Sequence, residues 1–308
     1  MSVYLTLSNN FLDEGWNGDI PPIDGFGTEG IGSVMQFHVL LRFFSDYYGV
    51  FFTYPGSANF SHYSYTNQNQ EEYLKSVDRF FNFPNIQHQW EEIYNVFGID
   101  EHLFSLIESN KNNDKLVLIN LYQSHGQLRS ICHQKCSEIF TKDRVDKIRN
   151  SLVFEDKKYF DENVNISLHI RVENPCDVES EIHSPYRELY TYDKDFYRYE
   201  NLLKYLQEKY KNKKTTLHIH SQGFKENFEH FLQFKTDEFD IQTHLDDHPV
   251  SDLYHMSNSD LLITSNSSFS WISSLLNSNE KIVRDNQFNS THFAHNIIKS
   301  NYDYTQFL

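Results

Sequence analysis

The sequence predicts an α/β protein whose parallel sheet is covered by helices on both faces. Apolar strand-like segments alternate with helical segments through the second half of the chain, which is typical of a doubly wound sheet. The 308 residues, 39% hydrophobic and 16% aromatic, are enough for two modest domains. A polar stretch at 150–164 precedes the first strand of the second half. We therefore predict two domains, at 1–155 and 156–308.

The individual elements follow from periodicity and from turn residues. In the second half we predict strands at 166–172, 216–220, 241–244, 261–264 and 281–283, and helices at 195–210, 224–234, 250–257 and 269–277. In the first half we predict strands at 50–54 and 116–119, and helices at 34–48, 70–81, 86–97, 101–109 and 128–150. The first half is therefore expected to hold more helix than strand.

Charge and composition exclude several classes of function. A formal net charge of -16 provides no basic surface for nucleic acid and opposes binding to an anionic membrane. The three cysteines, Cys132, Cys136 and Cys176, are too few for a disulfide framework and favour a reducing compartment. No signal-peptide pattern and no bilayer-length apolar run is present. We therefore expect a cytoplasmic protein without a transmembrane segment.

Residues 261–283 contain the strongest local signal for a ligand site. An apolar strand ends at Ser265, and Ser267 and Ser268 follow just before a helix that begins near Phe269. A helix N-terminus presents unpaired backbone N–H groups and the positive end of the dipole, which together favour phosphate. It also falls at the carboxyl edge of the sheet, where such folds bind ligands. A serine N-cap with nothing bound explains the same residues equally well.

A second signal lies at the end of the strand 166–172, where His169 and Arg171 share one face. A guanidinium at the end of an apolar strand requires a partner, and a pyrophosphate matches it with paired hydrogen bonds. Taken alone, an ion pair with an acidic residue is the preferred interpretation. Ser221 ends the next strand at the same edge, and Asp246 follows the strand after it. Carboxylates there suit the ring N–H groups of a base better than a metal, because hard cations usually require denser acidic clusters.

Four glycines precede the first long helix, at positions 25, 27, 30 and 32. Their spacing differs from that of a dinucleotide-binding loop, and they follow no clear strand. A tight turn is therefore the simpler interpretation of this stretch.

Together these segments resemble the fucosyltransferase superfamily, which includes the α1,2-, α1,6- and protein O-fucosyltransferases. The matching segments are Gly30-Ile31-Gly32 before Gln36 and His38, His169-Ile-Arg171-Val-Glu-Asn174, and SNSSFSWISSLL at 265–276. They are similar to the family's Gly-rich turn, its His-x-Arg-Arg-x-Asp strand end and its late serine-rich block. The late block, preceded by Asp252-Leu-Tyr-His-Met-Ser, is most similar to the α1,2-fucosyltransferases. The resemblance covers residues 160–285 well and 25–55 loosely.

The resemblance implies a GT-B-like fold with two Rossmann-like lobes and a central cleft, the acceptor on the N-terminal side and the donor on the C-terminal side. It implies inverting transfer from GDP-fucose to a glycan hydroxyl, without metal or cofactor. By position, Arg171, Ser267, Ser268 and Phe269 would bind the diphosphate, with Ser221 at the same edge. His169 and Asp246 would contact guanine or ribose, and Gly30 and Gly32 would let the N-terminal lobe approach the phosphates.

Two departures from the family's strand end leave the catalytic base open. Val172 stands where the family has its second arginine, which weakens phosphate binding by about 1–3 kcal/mol. Asn174 stands where the family has aspartate, so Glu173 is our candidate base and Asp177 the alternative. Three other functions stay open: transfer from another nucleotide-sugar, non-catalytic binding of a nucleotide or glycan, and a structural role in which Arg171 is ion-paired.

Overall fold

The computed structural model describes residues 3–7, 23–24, 31–59, 69–86, 90–122, 124–154, 160–171, 199–265, 267–284 and 297–300. The chain divides into two compact units. Unit 1 comprises Met1–Ser64 and Gln68–Val153, and unit 2 comprises Tyr65–Asn67 and Phe154–Leu308. Each unit holds a parallel sheet with helices, so the predicted α/β class is confirmed. None of the described helices is long and apolar enough to cross a membrane.

Unit 1 is built on a four-stranded parallel sheet. The described strands of unit 1 are β1 (Val3–Thr6), β2 (Ile23–Asp24), β3 (Phe51–Phe52), β4 (Ser57–Asn59), β5 (Glu92–Val96) and β6 (Val117–Leu121). Its helices are α1 (Ile31–Tyr48), α2 (Gln70–Phe81), α3 (Glu101–Asn110), α4 (His125–Gln134), α5 (Cys136–Ile139) and α6 (Lys142–Arg149). The sheet order is β3-β1-β6-β5, and β2 pairs separately with β4. Helix α1 follows β2 and precedes β3 in the chain, and it packs on β1, β3 and α4.

Unit 2 is built on a six-stranded parallel sheet. Its strands are β7 (Val164–His169), β8 (Thr215–Ser221), β9 (Phe239–Leu245), β10 (Leu261–Ile263), β11 (Glu280–Arg284) and β12 (Ile297–Ser300). Its helices are α7 (Glu200–Lys209), a 3₁₀ helix (Lys225–Phe234), α8 (Pro249–Asn258) and α9 (Ser268–Leu276). The sheet order is β12-β11-β10-β7-β8-β9.

In unit 2 the chain continues from the two central strands, β7 and β10, towards opposite edges of the sheet. From β7 the chain continues to β8 and β9 on one side of the sheet. From β9 it returns to β10, and then continues to β11 and β12 on the other side. The carboxyl ends of β7 and β10 therefore lie side by side where the strand order reverses, with Leu168 paired to Ile263. Open α/β sheets bind their ligands outside such a pair of strand ends.

The two faces of the unit 2 sheet differ in chemistry. One face is apolar and packs on α7 and the 3₁₀ helix. The other face lies under α8 and carries Asn165, Ser167 and His169 of β7, His218 and His220 of β8, and His244 of β9. Parallel strands covered on both sides are usually apolar throughout. The polar face must therefore satisfy its buried groups by hydrogen bonding.

Most predicted elements are confirmed within a few residues, but the predicted helix at 86–97 is wrong. Residues Glu92–Val96 form strand β5, which pairs in parallel with β6. Ile93 and Val96 are buried three positions apart, a spacing that suits a helix, and only pairing with β6 decides for the strand. The predicted helix at 128–150 is divided into α4, α5 and α6. Residues 57–59, which the sequence predicts as loop, form β4, and strands β1, β2 and β12 were also not predicted.

We expect the apolar face of the unit 2 sheet to dominate the stability of that unit. Phe231 is 0% exposed in this core, whereas its neighbour Leu232 is 40% exposed. Phe231→Ala should lower the free energy of unfolding by about 3–5 kcal/mol because it leaves a cavity. Leu232→Ala is the matched control and should cost about 1 kcal/mol or less. Urea unfolding of both variants measures the difference, and equal losses would contradict the assignment of this core.

Candidate functional site

A buried hydrogen bond joins the carboxyl ends of β7 and β10. His169 Nδ1 at the end of β7 lies 2.6 Å from Ser265 Oγ, just past β10. His169 is 9% exposed and Ser265 is 1% exposed, so water does not compete for this contact. The His169 ring also lies against Phe269, with 5.6 Å between the ring centroids. The end of β7 is therefore bonded to the turn from which α9 begins.

Serine side chains organise the start of α9. Ser267 is the N-cap residue, and its side chain accepts a hydrogen bond from the Phe269 N–H at 3.2 Å. The Ser270 hydroxyl donates to the carbonyls of Ser265 and Ser267, at 3.2 and 3.3 Å, and holds the turn from inside. Ser267, Ser268 and Phe269 are only partly buried. The positive end of the α9 dipole is therefore presented at the edge of the sheet, where it favours an anion.

Arg171 supplies positive charge at the same edge. It lies two residues beyond β7 and is half-buried. The pKa of His169 is lowered to about 3, first by burial and then by the charges of Arg171 and His220. His169 is therefore neutral near pH 7, and its ring acts as a hydrogen-bonding group. Of these two residues, Arg171 is therefore the one that carries a positive charge.

Ser221 and Asp246 shape the neighbouring part of this edge. The Ser221 hydroxyl donates to the Ile170 carbonyl at 2.7 Å and ties β8 to β7. Asp246 is exposed and has a φ of 54°, a left-handed conformation that is uncommon outside glycine. Its carboxylate accepts from the Gly223 N–H at 3.3 and 3.4 Å, and its own N–H donates to the Ser221 carbonyl at 3.2 Å. Both side chains are engaged with the backbone, and their contact with a ligand stays a prediction.

Most of the residues that are predicted to bind the nucleotide-sugar donor lie at one edge of the unit 2 sheet. These are His169, Arg171, Ser221, Asp246, Ser267, Ser268 and Phe269. Gly32 lies in the first turn of α1 in unit 1 and is buried. Gly30 and the candidate bases Glu173 and Asp177 lie outside the described residues. The catalytic role of Glu173 and the approach of the two glycines to the phosphates stay predictions.

Sequence reasoning missed a buried acid–histidine pair beside this edge. His220 Nδ1 lies 2.7 Å from Asp252 Oδ1 of α8, and His220 Nε2 lies 3.4 Å from Ser167 Oγ. Burial raises the pKa of Asp252, and the neighbouring His220 opposes that rise. Ser167 and His220 are both 0% exposed, so no substrate reaches the hydroxyl as it would in a nucleophilic triad. The pair instead bonds the sheet to α8, and the alternating His218 and His220 were its only sequence signal.

The described residues contain no group of three or more His, Cys, Asp or Glu side chains arranged to hold a metal ion. Cys132 is buried and Cys136 partly buried, and both are free thiols. The expectation of metal-independent chemistry stays a prediction.

By sequence, neither a known protein family nor a curated protein matches this chain. By structure, the chain is similar to crystal structures of POFUT1. The complex with GDP-fucose has 13% identity and a TM-score of 0.38, with 96% of this chain and 97% of that chain covered. A complex with GDP has 12% identity and a TM-score of 0.39, with 90% and 95% covered. Scores at this level do not assign the chain to a family.

We expect the bond between His169 and Ser265 to stabilise unit 2. Ser265→Ala removes the hydroxyl and leaves a buried imidazole nitrogen without this partner, which should lower the free energy of unfolding by about 1–3 kcal/mol. Ser274→Ala is the control, because the Ser274 hydroxyl, equally buried, bonds only the Trp271 carbonyl within α9. Urea unfolding compares the two variants. A smaller loss for Ser265→Ala than for Ser274→Ala would contradict the role given to this bond.

The buried histidines of unit 2 should make its stability depend on pH. The pKa values of His169 and His218 are each lowered to about 3, mainly by burial. As pH falls below about 6.5 the unfolded chain binds protons before the folded chain does. The contribution of these histidines to the free energy of unfolding is therefore fully present above that pH and is lost progressively towards pH 3. Each histidine should contribute up to about 1.4 kcal/mol per pH unit. Urea unfolding between about pH 7.5 and pH 5.5, where most carboxylates stay ionised, measures this slope, and a flat profile would contradict it.

Proposed function

We propose that this protein is an inverting, metal-independent glycosyltransferase that transfers fucose from GDP-fucose to a hydroxyl of a glycan acceptor. One observation carries the proposal. The bond from His169 to Ser265 joins the carboxyl ends of β7 and β10, so that Arg171 and the N-terminus of α9 lie at the point where the strand order reverses. A guanidinium and a helix N-terminus are both groups that bind a diphosphate.

In this mechanism the chain stabilises the leaving group. The bond between the anomeric carbon and the diphosphate oxygen breaks, and both its electrons leave with the diphosphate. Arg171 and the first N–H groups of α9 stabilise the charge that develops there. The acceptor oxygen forms the new bond from the opposite side of the sugar, which inverts its configuration. A carboxylate takes the hydroxyl proton, and Glu173 is our candidate for this base.

The charges of the sheet edge support a donor that lies along it from β10 towards β9. The whole chain carries a formal charge of -16, so a phosphate requires local positive groups such as Arg171. Asp246 lies at the end of β9, away from the proposed phosphate site. An exposed carboxylate there suits the ring N–H groups of guanine, whose edge carries donors. This direction is the reason for preferring GDP to UDP.

A second candidate is a protein that binds the nucleotide or a glycan without transfer. The residues at the end of β7 favour it, because Val172 and Asn174 replace the second arginine and the aspartate of the family pattern. The same nucleotide would then bind at the same edge, and no sugar would be transferred.

We expect Arg171→Ala to weaken GDP binding by about 10-fold or more, because charged hydrogen bonds contribute about 1.5–3 kcal/mol each. Arg79→Ala is the control, since Arg79 is exposed on α2 of unit 1. Titration calorimetry with GDP and UDP on the wild-type protein and both variants measures the change. Equal GDP affinity in Arg171→Ala and wild type would rule out the proposed phosphate site.

The same titrations separate the competing functions. Binding of UDP but not GDP would indicate a UDP-sugar in place of GDP-fucose as the sugar donor. Binding of GDP without transfer or donor hydrolysis on a broad acceptor panel would favour the non-catalytic protein. Binding of neither nucleotide would leave only a structural role for Arg171.

A further inference from the structure

The carboxyl edge of the unit 1 sheet carries an exposed aromatic ring that the proposed reaction does not use. Phe97 directly follows β5 and is 64% exposed. A single exposed apolar side chain is common on protein surfaces and needs no function. The groups that surround Phe97 therefore decide whether its ring belongs to a binding site.

Hydrogen bonds between the ends of β5 and β6 hold the backbone next to Phe97. The Tyr122 N–H donates to the Val96 carbonyl at 3.0 Å, and the buried Ser124 hydroxyl donates to the same carbonyl at 3.3 Å. The rings of Phe97 and Tyr122 are nearly perpendicular, with 5.3 Å between their centroids, which is a favourable geometry for an aromatic pair. The Phe97 ring is therefore presented to solvent from a supported position.

Gln127, in the first turn of α4, places an amide beside the same segment. Its Oε1 accepts a hydrogen bond from the Ile99 N–H at 2.7 Å. The amide also lies close to Gly98, the residue after Phe97. A Cβ at position 98 would lie 2.9 Å from Gln127 Oε1 and 3.5 Å from Nε2. The absence of a side chain at Gly98 therefore permits this close approach.

The bond to Ile99 fixes which end of the Gln127 amide is available to a ligand. A backbone N–H requires an acceptor, so the atom that meets Ile99 is the amide oxygen and the nitrogen carries both hydrogens. Gln127 is exposed, and no residue that the structure describes accepts a hydrogen bond from its Nε2. Two oriented N–H donors therefore lie close to the exposed ring of Phe97.

An apolar ring beside oriented amide donors suits a sugar. A sugar ring has an apolar C–H face that packs on an aromatic ring, and hydroxyl oxygens that accept from an amide N–H. Residues 97–101 and 122–130 contain the acidic Asp100 and Glu101 against one basic residue, Arg129. The local charge therefore disfavours phosphates and acidic sugars, and a neutral sugar fits best.

We propose that Phe97 and Gln127 form a subsite for a neutral sugar ring of the acceptor glycan. The Phe97 ring packs on the C–H face of the sugar, and Gln127 Nε2 donates to one of its hydroxyls. Binding is non-covalent, and Gly98 positions the amide that makes it. The inference rests on the proposed function only in identifying this sugar as part of the acceptor.

The first experiment applies the wild-type protein and two variants to an array of immobilised neutral and acidic glycans. Wild type should bind neutral glycans, and Phe97→Ala should lose most of this binding. Phe224→Ala is the matched control, because Phe224 is a phenylalanine of unit 2 that is 76% exposed. It should bind as wild type does. Absence of wild-type binding to any neutral glycan, or an equal loss in Phe224→Ala, overturns the proposal.

The second experiment measures affinity by calorimetry for the neutral glycan that binds most tightly. Phe97→Ala should weaken binding by about 10-fold. Gln127→Glu should weaken it by about 3- to 10-fold, because glutamate still accepts from the Ile99 N–H but donates nothing. Gln134→Glu, exposed at the end of α4, adds the same charge and should keep the wild-type affinity. Wild-type affinity in Phe97→Ala or Gln127→Glu, with urea unfolding showing folded proteins, overturns the subsite.

Calorimetry with GDP separates this inference from the function on which it rests. The proposed nucleotide site belongs to unit 2, so Phe97→Ala should bind GDP as tightly as wild type does. Glycan binding that depends on Phe97 without any GDP binding would support the sugar subsite and contradict the proposed transferase. GDP binding without glycan binding would overturn the subsite and leave the nucleotide site in place.

Discussion

The candidate site depends on the hydrogen bond between His169 and Ser265. The two residues are 96 positions apart and become neighbours only because the chain returns from β9 across the sheet to β10. Both are buried, so breaking the bond would leave polar atoms without water to replace the partner. The bond therefore holds the end of β7 and the start of α9 in one arrangement. This bond thereby positions Arg171 and the Ser267 cap at the edge of the sheet.

The polar face of the sheet extends this constraint across unit 2. Histidine replaces the aliphatic residues usual between a parallel sheet and its covering helix, and each ring must find a hydrogen-bond partner. Asn165, Ser167 and Asp252 supply such partners for His218 and His220. Burial lowers the pKa of His218 to about 3, so this ring is neutral within the layer near pH 7.

Periodicity predicted the fold well where the elements are regular, and less well where strand pairing decides between a helix and a strand. The alternating elements of unit 2 were predicted because each carries its own period and its own turn residues. Residues 92–96 form a strand inside the predicted helix 86–97, because the spacing of Ile93 and Val96 suits either element and pairing with β6 selects the strand. The short strands β1 and β12 have too few residues for a clear period, and they exist through pairing with their neighbours. In the site, the serines before α9 and Arg171 were predicted, whereas the bond from His220 to Asp252 was not.

The sequence by itself determined the α/β class of the protein, the serine cap of α9 and the presence of a cation at the end of β7. These features follow from local preferences, since a cap or an alternating strand requires only its near neighbours in the chain. Only the tertiary structure decided which strand ends meet, which face of the sheet carries the histidines' partners, and that Asp246 adopts a left-handed conformation beside Gly223. Those features depend on the order of strands in the sheet, because contacts between residues distant in the chain form only after the crossovers are made.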